Sequence, residues 1–198
     1  MSDFATAPAN PALFFRRWLA NPLQMGSIVP SSPTLCRLVA QNAMCRDDKL
    51  VVELGAGTGV MSRALLNAGL PAHRLVVVEI VPEMVTHLRS ILPGAHVLQG
   101  DAGDLQRLMQ DVPGQGGPGQ IGAVICGVPL VLLPLAEQKR LTGAFAAAAP
   151  GVGFLHYSYC ITSPISTRRL GLTARRLAWT PLNFPPASVW KYTPVAGA

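Results

Sequence analysis

The run Val51-Val52-Glu53-Leu54-Gly55-Ala56-Gly57-Thr58-Gly59 constrains the fold more than any other part of the chain. The apolar residues at its start read as a buried strand, the three glycines as a tight turn, and the end of the run as the start of a helix. Glycine at every second position lets the backbone turn sharply and come close to a ligand. The run is not a nucleotide-phosphate loop, because it has no Gly-Lys-Ser/Thr ending. It also departs from the dinucleotide fingerprint Gly-x-Gly-x-x-Gly, whose last glycine would fall at Val60.

Strand and helix patterns alternate on both sides of this turn. Helix is expected at 33–44, with Ser31 or Ser32 as its cap, then at 59–68, 82–91, 103–110 and 134–148. Strands are expected at 50–54, 74–79, 96–98, 121–126 and 152–159, with two more near 172–180 and 188–193. Alternation of this kind predicts an α/β fold, a mostly parallel sheet with helices on both faces. At 198 residues one such domain, 31–198, accounts for the chain after a leading segment, 1–30. In that segment 11–20 reads as a short amphipathic helix. Phe14, Phe15, Trp18 and Leu19 share one arc and Arg16 and Arg17 flank it, a pattern that suits either a membrane interface or the domain's own core.

Composition narrows the partners. Hydrophobic residues make up 49% and charged residues 13%, and the mean hydropathy is +0.34. Yet no apolar run reaches the roughly eighteen to twenty residues of a spanning helix. The nearest, 121–136, is broken by Gly122, Gly127, Pro129 and Pro134. The beginning of the chain does not read as a signal peptide. The net charge is +6, and all ten acids lie at or before Glu137. Lys139, Arg140, Arg168, Arg169, Arg175, Arg176 and Lys191 come after it with no acid among them. Such asymmetry points to an anionic partner, either nucleic acid or acidic lipid headgroups. Cys36, Cys45, Cys126 and Cys160 form no metal-binding spacing, so no metal site is expected and the thiols read as reduced.

Ligands of parallel α/β sheets bind beyond the carboxyl ends of the strands. Along that rim the sequence places Glu53 and Gly55, Glu79, Asp101, and Cys126 with Gly127. Glu79 ends the second strand about twenty residues after the glycine turn, where an acid can accept both hydroxyls of an adenosine ribose. That feature is common to NAD and S-adenosylmethionine (SAM) sites and does not separate them. Asp101 can accept from an adenine amino group, cap the next helix, or do both. Glu53 can orient a cofactor's ammonium or balance the positive end of the next helix.

These rim motifs resemble class I SAM-dependent methyltransferases over roughly 31–160. More narrowly, Met25-Gly26-Ser27-Ile28-Val29-Pro30-Ser31-Ser32, the glycine run, and Pro185-Pro186-Ala187-Ser188-Val189-Trp190 resemble bacterial phospholipid N-methyltransferases. Those enzymes convert phosphatidylethanolamine stepwise towards phosphatidylcholine. Ornithine-lipid N-methyltransferases share much of the pattern. The resemblance implies a Rossmann-like, seven-stranded sheet plus an N-terminal amphipathic helix that lies on the membrane and covers the site. It implies SAM as cofactor, with S-adenosylhomocysteine as product. The cofactor-binding set it implies is Glu53, Gly55, Ala56, Gly57, Thr58, Gly59, Glu79, Ile80, Asp101, Ala102, Cys126 and Gly127. Ala56 stands where the family commonly has proline, which changes turn stiffness rather than ligand chemistry. The location implied is cytoplasmic, peripheral on the inner face of the cytoplasmic membrane.

An amine must lose a proton before it attacks SAM, and water or the lipid's own phosphate could take it. His156, Tyr157 and Tyr159 on the fifth strand are the protein candidates, with the two tyrosines on the face opposite His156. Tyr159 matches the family's tyrosine at this strand end and can hold a cationic headgroup by cation–π attraction. His156 reads as structural. Phe14, Phe15, Arg16, Arg17, Trp18, Ser31, Tyr157, Arg168 and Arg169 complete the expected substrate and membrane contacts. The resemblance therefore implies N-methylation of phosphatidylethanolamine at an anionic membrane surface. An ornithine-lipid enzyme, an rRNA adenine methyltransferase and a non-catalytic SAM- or membrane-binding module are the alternatives. Adenine methyltransferases hold the base with Asn-Leu-Pro-Tyr after strand four. Here Gly127-Val128-Pro129-Leu130 supplies neither the amide nor the aromatic, so no nucleic-acid partner is expected.

Overall fold

The computed structural model describes residues 32–45, 48–113, 119–159, 162–183 and 185–195. The expected helix at 11–20, with Phe14, Phe15, Arg16, Arg17 and Trp18, and the expected contact Ser31 lie outside these residues.

In chain order the elements are α1 (Pro33–Ala43), β1 (Leu50–Leu54), α2 (Val60–Asn67), β2 (Leu75–Glu79), α3 (Pro82–Ile91), β3 (His96–Gln99), α4 (Leu105–Leu108), β4 (Ile121–Cys126), α5 (Leu135–Ala148), β5 (Phe154–Ser158), α6 (Thr167–Leu170), β6 (Leu172–Thr180) and β7 (Ala187–Pro194). The strands form one seven-stranded sheet in the order β3-β2-β1-β4-β5-β7-β6. β1 to β5 run parallel. β7 is antiparallel to both β5 and β6. This is the Rossmann-like, mostly parallel seven-stranded sheet that the resemblance implies.

Strand periodicity of two decides what each face buries. Leu50, Val52 and Leu54 of β1 join Val76, Val78 and Phe154 against α4 and α5. Val51 of β1 joins Val77, Ile125, Leu155 and Val189 against α1, α2 and α3. Helix starts obey local chemistry. The Ser32 hydroxyl accepts from the Leu35 N–H at 3.2 Å, so Ser32 is the cap of α1. The Ser32 N–H donates to the Asn183 side chain, 2.9 Å away, tying the start of α1 to the β6–β7 turn.

The chain order reverses between β1 and β4, and the crevice beyond their carboxyl ends is the expected ligand position. The same topology moves two expected contacts elsewhere. Arg168 and Arg169 lie on α6, which leads into the amino end of β6, whereas the glycine turn lies beyond the carboxyl ends. The sequence offered no sign of this, because α6 is a single four-residue turn in a segment without clear periodicity.

Gly153 opens β5 with φ +69°, and a Cβ there would overlap the Tyr192 carbonyl oxygen. Gly153→Ala should therefore destabilise the sheet by about 2–4 kcal/mol, through strain and overlap with backbone. Urea unfolding of the two proteins measures this directly.

Candidate active site

The glycine turn has the conformation its composition predicts. Gly55, Gly57 and Gly59 all have positive φ, at 74°, 55° and 75°. At Gly59 a Cβ would press on the Leu88 side chain at 2.8 Å, whereas at Gly57 it would meet nothing within 4 Å. Gly59 thus lets α2 pack on α3, and Gly57 leaves the rim open where a ligand would approach.

Glu79 holds this turn in place. Its Oε2 accepts from the Gly57 N–H at 2.9 Å. Its Oε1 accepts from the N–H groups of Ile80 and Val81 at 2.8 and 3.0 Å. The residue is only 1% exposed. A carboxylate has about four acceptor positions, so these three bonds leave capacity for a ligand hydroxyl. Glu79 is therefore an organiser of the turn as well as a candidate ribose acceptor, a role that spacing alone did not reveal.

Glu53 sits at the end of β1 on the α1–α3 face and is 2% exposed. Ser62 of α2 donates to its Oε2 at 2.5 Å. Burial pushes its carboxyl up to about 7, with the neighbouring Glu79 adding to the rise and the Ser62 bond opposing it. Tyr157 is on the same face, and its hydroxyl oxygen lies 3.3 Å from where a Cβ on Gly127 would stand. Burial and then the charge of Glu53 raise its ionisation well above the ordinary tyrosine value, so at neutral pH it keeps its proton.

The opposite face carries His156. Its Nδ1 lies 2.9 Å from the Cys126 carbonyl oxygen. A carbonyl can only accept, so Nδ1 carries the hydrogen and Nε2 a lone pair. Burial lowers the ring's affinity for a second proton. Tyr159 comes just after β5 and packs partly against the cluster that contains Leu155 and Val189.

Asp101 fills two roles. It caps the turn after β3 by accepting from the Gly103 N–H at 2.7 Å. It also accepts from Arg140 of α5, whose Nη2 lies 2.9 Å from both carboxylate oxygens. Arg140 pairs with Glu137 as well. An adenine amino group would have to share Asp101 with this guanidinium. Arg140 is the rim residue that sequence reasoning missed. Its one signal was the i, i+3 spacing from Glu137, which says nothing of Asp101. Cys126 and Ala102 turn their side chains into the core, so only their backbone faces the rim. The Cys126 thiol, pushed up to about 12 by burial, is inert. Thr58 is exposed on the turn. Among the described residues no group of His, Cys, Asp and Glu is placed to hold a metal ion.

Comparison with known proteins places this geometry. No family model matches the chain. An ornithine lipid N-methyltransferase from Singulisphaera acidiphila is 31% identical over 132 residues, covering 65% of this chain and 67% of that protein. The chain belongs to the class I SAM-dependent methyltransferases. Solved structures agree on the fold. The Burkholderia thailandensis 1,6-didemethyltoxoflavin-N1-methyltransferase superposes with a TM-score of 0.68 at 14% identity, over 98% of this chain and 93% of that one. The mitomycin 7-O-methyltransferase MmcR gives 0.60 at 17% identity, over 92% of this chain but 60% of its own length.

SAM is accordingly the methyltransferase's cofactor, and the rim fits it. Gly57 leaves space for close approach, Glu79 retains an acceptor, and Glu53 is an acid beside the turn. When SAM is bound it supplies an activated methyl group for in-line transfer.

Glu53 gives a pH signature. Its folded value is raised above the unfolded one, so folding takes up a proton between the ordinary carboxylate range and about pH 7. Stability from this residue is present at low pH and is lost as pH rises through that window. Glu53→Gln should therefore raise the melting temperature at pH 8 and change it little at pH 5, read by thermal unfolding at both pH values.

Proposed function

We propose that this methyltransferase N-methylates a membrane amino-lipid. The observation that carries the lipid reading is the distribution of exposed apolar side chains. Among the described residues, Val131 and Leu132 are 47% and 39% exposed just beyond β4, and Trp179 and Leu182 are 50% and 74% exposed at the end of β6 and its turn, while Val195, 44% exposed, follows β7 at the opposite end. Four of these five thus lie at the carboxyl-end rim that holds the glycine turn. Large apolar groups gathered around the mouth of a site suit a lipid surface better than a small aqueous substrate. The similarity to an ornithine lipid N-methyltransferase supports the same reading and puts the ornithine headgroup first, with ethanolamine phospholipid second. Among the described residues no helix is long and apolar enough to cross a membrane, so contact would be peripheral. The aromatic residues Phe14, Phe15 and Trp18 of the segment 1–30 suit the same lipid contact by their composition.

In this reading the chain's own residues bind, orient and dehydrate. Glu79 holds the cofactor's ribose and Glu53 its ammonium, while Asp101 takes the adenine amino group alongside Arg140. Tyr157, protonated at neutral pH, is a hydrogen-bonding group beside Gly127 rather than a base. Tyr159 holds the cationic headgroup against its ring. Proximity and exclusion of water account for most of the rate, since the methyl donor is already activated.

Purified protein incubated with SAM and mixed vesicles should give methylated ornithine lipid or phosphatidylethanolamine by mass spectrometry. Methylation of rRNA with no lipid product would reverse the reading. Glu79→Gln places a donor where an acceptor is needed, at Gly57 and at the ribose. Loss of a hydrogen bond to a charged group costs about 1.5–3 kcal/mol, so SAM should bind roughly ten-fold or more weakly by calorimetry. Trp179→Ser with Leu182→Ser should lower sedimentation with anionic vesicles and lipid methylation together while SAM affinity is kept. Undiminished sedimentation would remove the rim from the contact.

A further inference from the structure

Two polar side-chain atoms among the described residues are buried without any hydrogen-bond partner, the Ser188 hydroxyl and the Trp190 indole N–H. Ser188 is 1% exposed and Trp190 9%. They are two residues apart on β7 and so share a face of the sheet, the face packed against α4 and α5. Register sets Ser188 beside Ser158, the last residue of β5, and Trp190 beside His156. The orphaned pair thus starts at the carboxyl-end rim beside the end of β5 and runs one step inward, with β4 the next strand along and β1, which carries the glycine turn, beyond it. Native chains seldom leave such groups unsatisfied, and each one that persists calls for a reason.

The donors define the chemistry of the missing partner. An indole N–H can only donate, so the partner is an acceptor, and a hydroxyl can donate to the same group. Arg176, opposite Trp190 on β6, has its guanidinium carbon 5.9 Å from the centre of the Trp190 ring. A cation close by favours an acceptor that is negatively charged. His156, on the same face, keeps its lone pair at Nε2 because Nδ1 is committed to Cys126. Two donors beside a guanidinium match an anionic group, and the neutral His156 ring next to them does not repel it.

We propose that Ser188 and Trp190 bind the anionic group of the substrate headgroup, the phosphate of an ethanolamine phospholipid or the carboxylate of an ornithine lipid. The proposal rests on the reading of an amino-lipid substrate. It makes Ser188 and Trp190 determinants of specificity, because a headgroup without an anion leaves them unpaired.

Ser188→Ala decides it. The hydroxyl bonds nothing in the folded chain, so its removal should leave the melting temperature unchanged or raise it. KM for the recognised lipid should rise roughly ten-fold, with kcat and SAM affinity within about two-fold. The lipid that suffers the rise, phosphatidylethanolamine or ornithine lipid, identifies phosphate or carboxylate as the anion. A long-chain primary amine without an anionic group, presented in phosphatidylcholine vesicles, should be methylated equally by parent and variant. Trp190→Phe should repeat the pattern and serves if the first variant does not fold. Equal KM values for both lipids, or a loss that appears equally with the simple amine, would overturn the proposal. If the parent methylates neither lipid, the substrate reading fails on its own. The subsite is then tested by thermal shift with phosphoethanolamine and with ornithine. A shift in the parent that Ser188→Ala abolishes upholds it, and no shift or an identical one overturns it.

Discussion

The contact on which the rest of the rim depends is the one between the Glu79 carboxylate and three backbone N–H groups. A buried charge is tolerable only when it is well hydrogen-bonded, and Gly57, Ile80 and Val81 meet that need. The bond to Gly57 joins the end of β2 to the turn after β1, so two loops that enter the crevice separately are fixed relative to each other. The glycine conformations, the entry of α2 and the open space at Gly57 depend on that tie. It also explains why an acid is suited to this position beyond any ligand contact, since a neutral side chain could not satisfy three donors as well.

Most of the architecture was legible in the chain because its strands are short apolar runs bounded by glycine, proline or acid. β1, β4 and β6 have the ranges expected from the sequence, and β2 differs by one residue. α4 was shorter than expected, four residues in place of about eight, since 3-10 turns occupy both flanks. The rim acids were legible because strand ends are marked by a change from apolar to charged. What escaped was everything set by partners distant in sequence. Arg140 meets Asp101 across 39 positions, and nothing in either local pattern announces the pair. The orphaned donors on β7 could not be seen either, because Ser188 and Trp190 look like ordinary strand residues until their surroundings are known. Arg168 and Arg169 show the same limit from the other side. Charge asymmetry identified them as basic, but only topology says at which end of the sheet they lie.

The two faces of the sheet divide the ionisable groups. Glu53, Ser62 and Tyr157 gather on the α1–α3 side, where burial keeps both acids poised towards their neutral forms. His156, Ser188 and Trp190 gather on the α4–α5 side, and Arg176 projects over Trp190 there. The sulfonium of SAM is cationic, so an acid rather than a base beside the glycine turn suits its approach.

β6 closes the sheet at one end and has no partner on its outer side among the described residues. Its register with β7 shifts between Arg176 and Ala178, and Arg175 and Arg176 are exposed next to that irregularity. An edge of nine residues in so apolar a chain would otherwise invite another strand to pair with it. The bulge bends the ladder, and the two guanidinium groups repel an identical edge in a neighbouring molecule. The same segment therefore works against the protein stacking with itself in water, edge to edge, despite the apolar side chains exposed on its rim.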